Sequence, residues 1–317
     1  MSRFLNDGST DAPRLRVYLN LDSLLDLQDG HGAARAFPTD PAERDALLAR
    51  DGFEGVQRTD RSAPQGPTCL PYCGANRIDK PGEVDAIVAR HVARGDNCLT
   101  LHAGTGLEDD AAACRLAEAL LAAADRQRFA VFLETHRATI TQDLWRTVQL
   151  LRRFPELRLN GDFSHYYCGQ EMPYGDWAQK MAFMEPLFAR TGFLHGRIAS
   201  PGCMQVPISR EWTQRPPQAH GVVDFLAHFR DLWGRAIRGF LQHAGPGDVL
   251  VFAPEILSGA HYYARCFPDA QGRLVEESDR YAQALIYKDL IRTLFAEQLA
   301  AAAGASGGGA VAPARAR

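Results

Sequence analysis

The chain has no uninterrupted run of about 18 apolar residues, the length a helix needs to cross a bilayer. The segment Met1 to Arg14 also lacks the apolar stretch of a secretory signal. No membrane helix is expected, and cytoplasmic residence is the default expectation. Basic charge is not in excess: 35 Lys and Arg stand against 38 Asp and Glu, a formal net charge of −3. A dedicated polyanion binder usually shows a basic face, so nucleic acid is not an expected partner. The seven cysteines (Cys69, Cys73, Cys98, Cys114, Cys168, Cys203, Cys266) are scattered and odd in number. Cys69 and Cys73 have no second pair at zinc-finger spacing, so reduced thiols are expected rather than a structural zinc site. No solenoid repeat is present, and no GxGxxG or Walker pattern follows the first strand-like run. The second absence weighs against a doubly wound, nucleotide-binding open sheet.

What the sequence does contain is an alternation of short apolar runs with longer helical patterns. Strand-like runs fall at Arg16–Leu21, Gly52–Gln57, Asn97–His102, Phe129–Glu134, Leu157–Asp162, Gly192–His195 and Asp248–Glu255. An eighth, Thr68–Ala75, is weakened by Pro71. Between them, Val84, Ile87, Val88 and Val92 share one helical face, as do Leu116, Leu120 and Leu121. Thr141 is the expected N-cap before Leu144, Val148 and Leu151, with Asp143 in the first turn. Phe225 to Leu241 marks a long helix, and Tyr281 to Leu299 a closing one. Eight strands alternating with helices predict an α/β fold with a parallel closed sheet, a (β/α)8 TIM barrel over residues 14–299. Residues 1–13 read as a flexible segment and 300–317, rich in Ala, Gly and Pro, as a disordered tail.

The polar residues are informative by position. His102 ends one strand run, Glu134 the next, and Asp162, followed by Phe-Ser-His165, the one after. His195 ends the Gly192–His195 run, with Arg197 two residues on, and Glu255 ends the Asp248–Glu255 run. In a closed parallel barrel all strand C-termini meet at one face, where catalytic residues gather. A lone acid after a strand often only caps the next helix, and a lone His is more often structural. Clustered acids and imidazoles, however, repel one another and lose hydration, a cost that a divalent cation removes.

At Leu101-His-Ala-Gly104, Phe132-Leu-Glu-Thr-His-Arg137, Gly161-Asp-Phe-Ser-His165, Leu194-His-Gly-Arg197 and Ala253-Pro-Glu-Ile256 the sequence resembles the xylose isomerase-like barrel superfamily. That group includes sugar isomerases and epimerases, inosose dehydratase and endonuclease IV. The resemblance covers roughly Arg14 to Leu299. It implies four metal ligands, Glu134, Asp162, His195 and Glu255, around one divalent ion. A hard, oxygen-rich set suits Mn2+ or Mg2+, with Zn2+ or Co2+ able to substitute. It further implies that His165 and Arg197 contact substrate, and it places His102 at the site. His136 and Arg137 contact substrate or face the loop.

The activity this resemblance implies is that of a metal-dependent sugar isomerase or epimerase. Glu134 and Glu255 would move a proton next to a carbonyl through an enediolate. The expected substrate is a carbohydrate or small hydroxy-ketone, and relatives often pair as homo-oligomers. Dehydration at the same metal site, as by inosose dehydratase, is an alternative. Further alternatives are an endonuclease IV-like DNA repair enzyme and a non-catalytic sugar-binding barrel. The strand-two run, ending Val56-Gln57-Arg58 without a histidine, weighs against the nuclease. His91, His228 and His243 read as structural, and His220 and His261 as loop residues. Gln205 and Trp212, on the loop after strand seven, reach the site or lie on a plain surface loop. Tyr166, Tyr167, Trp177, Tyr262 and Tyr263 line a sugar pocket or pack the core.

Overall fold

The computed structural model describes residues 4–24, 37–60, 69–214 and 223–307. A two-residue strand, β1 (Leu5–Asn6), precedes eight others: β2 (Arg14–Asn20), β3 (Gly55–Arg58), β4 (Tyr72–Ile78), β5 (Cys98–Ala103), β6 (Val131–Glu134), β7 (Leu159–Gly161), β8 (Thr191–Gly196) and β9 (Asp248–Pro254). From β2 onward each pairs in parallel with the next, and β9 returns to β2, so the sheet closes. A small antiparallel hairpin, β10 (Cys266–Pro268) and β11 (Leu274–Glu276), follows. The helices are α1 (Pro41–Arg50), α2 (Val84–Ala93), α3 (Asp110–Gln127), α4 (Leu144–Arg153), α5 (Ser164–Gly169), α6 (Trp177–Phe188), α7 (Arg210–Gln214), α8 (Phe225–His243) and α9 (Arg280–Gly307). The result is a (β/α)8 barrel. Between β3 and β4 no α-helix lies among the described residues.

Both faces of the ring are buried, which is why its strands read as nearly continuous apolar runs. Outward residues such as Val17, Leu19, Leu99, Leu101, Val131, Leu133 and Phe252 join the helices' apolar stripes in one large core. Inward residues Tyr18, Cys73, Cys98, Phe132, Phe193 and Val251 fill the barrel itself. Each fully buried Leu or Phe contributes roughly 1.5–3 kcal/mol. Gly55 is required here, since a Cβ on it would lie 2.4 Å from the Tyr18 ring. Five helices begin at an Asp whose carboxylate accepts a hydrogen bond from a first-turn N–H: Asp40, Asp109, Asp143, Asp176 and Asp224. Such caps are worth about 1 kcal/mol each. Among the described residues, no helix is long and apolar enough to cross a membrane.

Several expectations need correction. The N-terminal segment is not loose throughout: β1 pairs antiparallel with β9, and Leu5 packs inside the barrel with Phe132 and Phe193. The polar composition of residues 6–11 hid Phe4 and Leu5, both 5% exposed. The closing helix α9 runs to Gly307, past the Ala300 at which a tail was expected, because its alanines are good helix formers; residues 308–317 lie outside the described set, as does His220. Asp143, not Thr141, caps α4. The third strand begins at Tyr72, just past Pro71, which lacks the N–H a ladder needs.

Candidate metal centre

The site follows from the two-residue alternation of the strands. Above the apolar layer, the next inward side chains are Asn20, Gln57, Thr100, Glu134, Asn160 and His195, all buried. One step further, at or just past the strand ends, stand His102, Asp162, Arg197 and Glu255. Residues 134, 162, 195 and 255 therefore converge. One ligand atom from each lies within 4.8 Å of the others.

The spacings fit a shared cation. His195 Nδ1 is 3.4 Å from Glu134 Oε1, 3.6 Å from Asp162 Oδ2 and 3.4 Å from Glu255 Oε2. Donors about 2.1 Å from a tetrahedral ion stand ~3.4 Å apart. Glu134 Oε1 lies 2.9 Å from His102 Nε2 but off the line of a hydrogen bond, and it is buried with no hydrogen-bond partner. An orphaned, buried carboxylate oxygen is what a bound cation would satisfy. Three carboxylates and one imidazole suit a hard divalent ion.

The electrostatics say the same. Burial pushes the His195 imidazole down, but the Glu255 and Glu134 carboxylates outweigh it and hold its pKa well above the ordinary value. Burial pushes Glu134 up, yet His102 and His195 bring it well below the carboxylate range. Asp162 is likewise held low against burial, chiefly by Arg197. Glu255 ends above its ordinary value, because burial and the neighbouring carboxylates Glu134 and Asp162 outweigh His195 and Arg197. The cluster thus calls for positive charge at its centre.

A polar relay sets which imidazole nitrogen faces that centre. Thr100 Oγ1 donates to the Gly74 carbonyl at 3.4 Å, and Gln57 Nε2 donates to Thr100 Oγ1 at 2.9 Å. The Gln57 amide is thereby oriented with Oε1 2.9 Å from His195 Nε2. An amide oxygen only accepts, so Nε2 carries a proton, and Nδ1 is the nitrogen that faces the carboxylates and would offer its lone pair to a cation held among them. Asn160 Nδ2 lies 3.1 Å and 3.4 Å from the two ring nitrogens, which places it over the ring face; it donates to Glu134 Oε2 at 2.9 Å. Asn20 Nδ2 donates to Glu255 Oε1 at 2.9 Å. Gln57→Leu is expected to weaken metal affinity about 10–100-fold, while Gln57→Glu, which keeps an acceptor, retains it. Chelator competition measures this, and native affinity in Gln57→Leu would remove the relay's role.

A row of imidazoles runs inward from His102, which lines the cleft. The His102 and His136 ring centroids are 4.2 Å apart, and those of His136 and His165 3.8 Å. Burial, with His165 and His102 nearby, pushes His136 down to about 2. Thr141 Oγ1 donates to the Glu134 carbonyl at 2.6 Å and accepts from His136 N–H at 3.2 Å, fixing the loop that carries His136 and Arg137. Arg197 pairs with Asp162 and lies 3.0 Å from Glu255 Oε2. A cleft of about 610 Å³ opens over the cluster, lined by Glu134, His195 and Glu255 and by the exposed Asp60, Arg77 and His261.

Of the other sequence candidates, Tyr166 and Tyr167 are buried in the core, and Trp177 stacks on His228 of α8. Gln205 Nε2 donates to the Leu257 carbonyl and ties two loops together. Trp212 packs against the core and Tyr262 is exposed. Tyr263 does reach the site, with its ring over the Arg197 guanidinium at 4.6 Å. All seven cysteines are free, and none belongs to a candidate ligand group among the described residues. Asn20, Gln57, Thr100 and Asn160 escaped sequence reading; their signal was the inward phase they share with the ligands.

No protein-family model matches the chain, and no curated protein matches it. Solved structures do. A xylose isomerase-like TIM barrel protein from Mycobacterium smegmatis in complex with magnesium is 11% identical with a TM-score of 0.49, over 91% of this chain and 97% of that one. The probable 3-DHS dehydratase AsbF of Bacillus anthracis is 13% identical with a TM-score of 0.46, over 76% of this chain and 92% of that one. A broad-specificity endoglucanase from Bacteroides salanitronis is 10% identical with a TM-score of 0.40, over 93% and 97%. Likeness at this level spans enzymes of different chemistry and assigns none of them to this chain.

Proposed function

We propose that this barrel is a metal-dependent isomerase or epimerase acting on a small hydroxy-carbonyl compound of the carbohydrate type. The observation that carries the reading is the convergence of Glu134, Asp162, His195 and Glu255 within 4.8 Å at the mouth of a cleft. These four side chains would hold one divalent ion, with Mn2+ or Mg2+ favoured by the oxygen-rich set. When bound, the ion supplies Lewis-acid stabilisation of negative charge on the substrate oxygen.

The protein's own residues then divide the work. Glu134 and Glu255 both line the cleft, so a substrate carbon between them can lose a proton to one carboxylate and regain it from the other. Asn160 and Asn20 each hold one oxygen of these carboxylates, leaving the second to face the cluster. Arg197, fixed by Ser164 Oγ at 3.0 Å and by Asp162, places a permanent cation beside the developing oxyanion.

The test is hydrogen exchange. Metal-loaded protein and a panel of ketoses and hydroxy-ketones in D2O should give one deuterium on the carbon beside the carbonyl, seen by mass spectrometry and NMR. Loss of water from the substrate would replace isomerisation with dehydration at the same site. No exchange with any member of the panel would remove the proton-shift reading.

A further inference from the structure

Most arginines among the described residues are matched to carboxylates. Arg14, Arg16, Arg50, Arg90, Arg210 and Arg292 each lie within 4.0 Å of an Asp or Glu oxygen. Arg137, exposed on the loop after β6, makes no ion pair among the described residues. Its guanidinium instead lies 5.2 Å from the centroid of the Tyr263 ring, whose other guanidinium neighbour is Arg197 at 4.6 Å. One tyrosine ring thus carries two cations beside the imidazole row, the Tyr263 and His165 centroids being 6.5 Å apart.

Two further donors beside Tyr263 are unspent. Arg197 is 1% exposed, and its Nη1 is buried with no hydrogen-bond partner although Nε and Nη2 are engaged. His165 is 2% exposed; its Nε2 faces Arg197 Nη2 at 3.2 Å, and its buried Nδ1 has no partner. A guanidinium only donates, so the His165 ring proton is assigned to that orphaned Nδ1. Across the cleft the acids are already occupied. Asp22 accepts from Thr59, and Asp60 from Asn76, Arg90 and Arg94. Arg137 thus brings to the imidazole side a positive charge that no carboxylate meets among the described residues.

We propose that the substrate carries a carboxylate, making it a polyhydroxy acid or its oxo form, and that Arg137, positioned on Tyr263, binds this group beside Arg197 and His165. A guanidinium is flat and donates through two parallel N–H groups, which matches a planar carboxylate. The inference rests on the metal-site reading, since the carboxylate end is placed relative to a carbinol end held at the ligand cluster.

Three ligands with one carbon skeleton separate the classes: glucitol, gluconate and glucitol 6-phosphate, titrated calorimetrically into metal-loaded protein. Gluconate should bind at least about tenfold more tightly than glucitol, the order expected for a charge-assisted hydrogen bond. Arg137→Ala should bring gluconate to the glucitol level, with Arg137→Lys between, while metal content per chain stays native. Equal affinity for gluconate and glucitol, or gluconate binding untouched by Arg137→Ala, would overturn the proposal, because direct chelation would not need Arg137. Tightest binding of the phosphate would overturn the carboxylate class. Metal analysis of the same samples separates the failures. Full metal without a gluconate preference sinks the subsite alone, and absence of metal sinks the metal reading and the subsite with it.

Discussion

Glu134→Gln and Glu255→Gln are each expected to lower deuterium exchange into substrate by ~10²–10⁴-fold, the contribution of a positioned general base. Gln keeps the shape and the neighbours of Glu134, including Asn160 Nδ2 at 2.9 Å, but it cannot take a proton. It is also a weaker ligand, so metal affinity should fall in the same variants. The two effects separate at saturating metal. There a residue that only held the ion regains its rate, and a residue that moves the proton does not. Because both carboxylates serve one reaction, the double variant should lose little beyond the worse single one. Native exchange rates in both single variants would remove the acid–base assignment.

Asp96→Asn is expected to destabilise the fold by roughly 3–5 kcal/mol, the cost of breaking a buried ion pair from one side. Asp96 is 6% exposed and lies between Arg58 Nη2 at 2.7 Å and His91 Nδ1 at 2.6 Å. Gly74 makes room for that imidazole, since a Cβ there would sit 2.2 Å from His91 Nδ1. Burial pushes the Asp96 carboxyl up, but its hydrogen bonds to His91 and Arg58 bring the net value below the ordinary one. A lowered folded-state pKa contributes stability that is present above the unfolded carboxylate value and lost as pH falls through the folded one. The melting-temperature gap between native protein and Asp96→Asn should thus be wide at neutral pH and narrow only below about pH 4. An unchanged melting temperature at pH 7 would mean that Asp96 carries no such weight.

The barrel was legible in the sequence because a parallel sheet buried on both faces leaves apolar runs that any reading detects. Glu134, Asp162, His195 and Glu255 stood out because each interrupts such a run with charge at the strand's C-terminal end. Gln57, Asn160 and Thr100 did not, because a neutral amide or hydroxyl inside a strand run looks like an ordinary polar position. Only closure of the ring shows that they point inward at the same height as His195. The β1 strand was missed for a related reason. Two residues carry too little pattern to read, and Leu5 is placed by the open end of a barrel that sequence does not display. Arg137 was left between contacting substrate and facing the loop, since its isolation from acids is a property of the folded surface.

One divalent ion is expected among Glu134, Asp162, His195 and Glu255. Elemental mass spectrometry on protein purified without chelator measures it directly. About one Mn, Mg, Co or Zn per chain is expected, lost in Glu255→Gln, as a single four-ligand site requires. No metal as purified, and none taken up on addition, would contradict it.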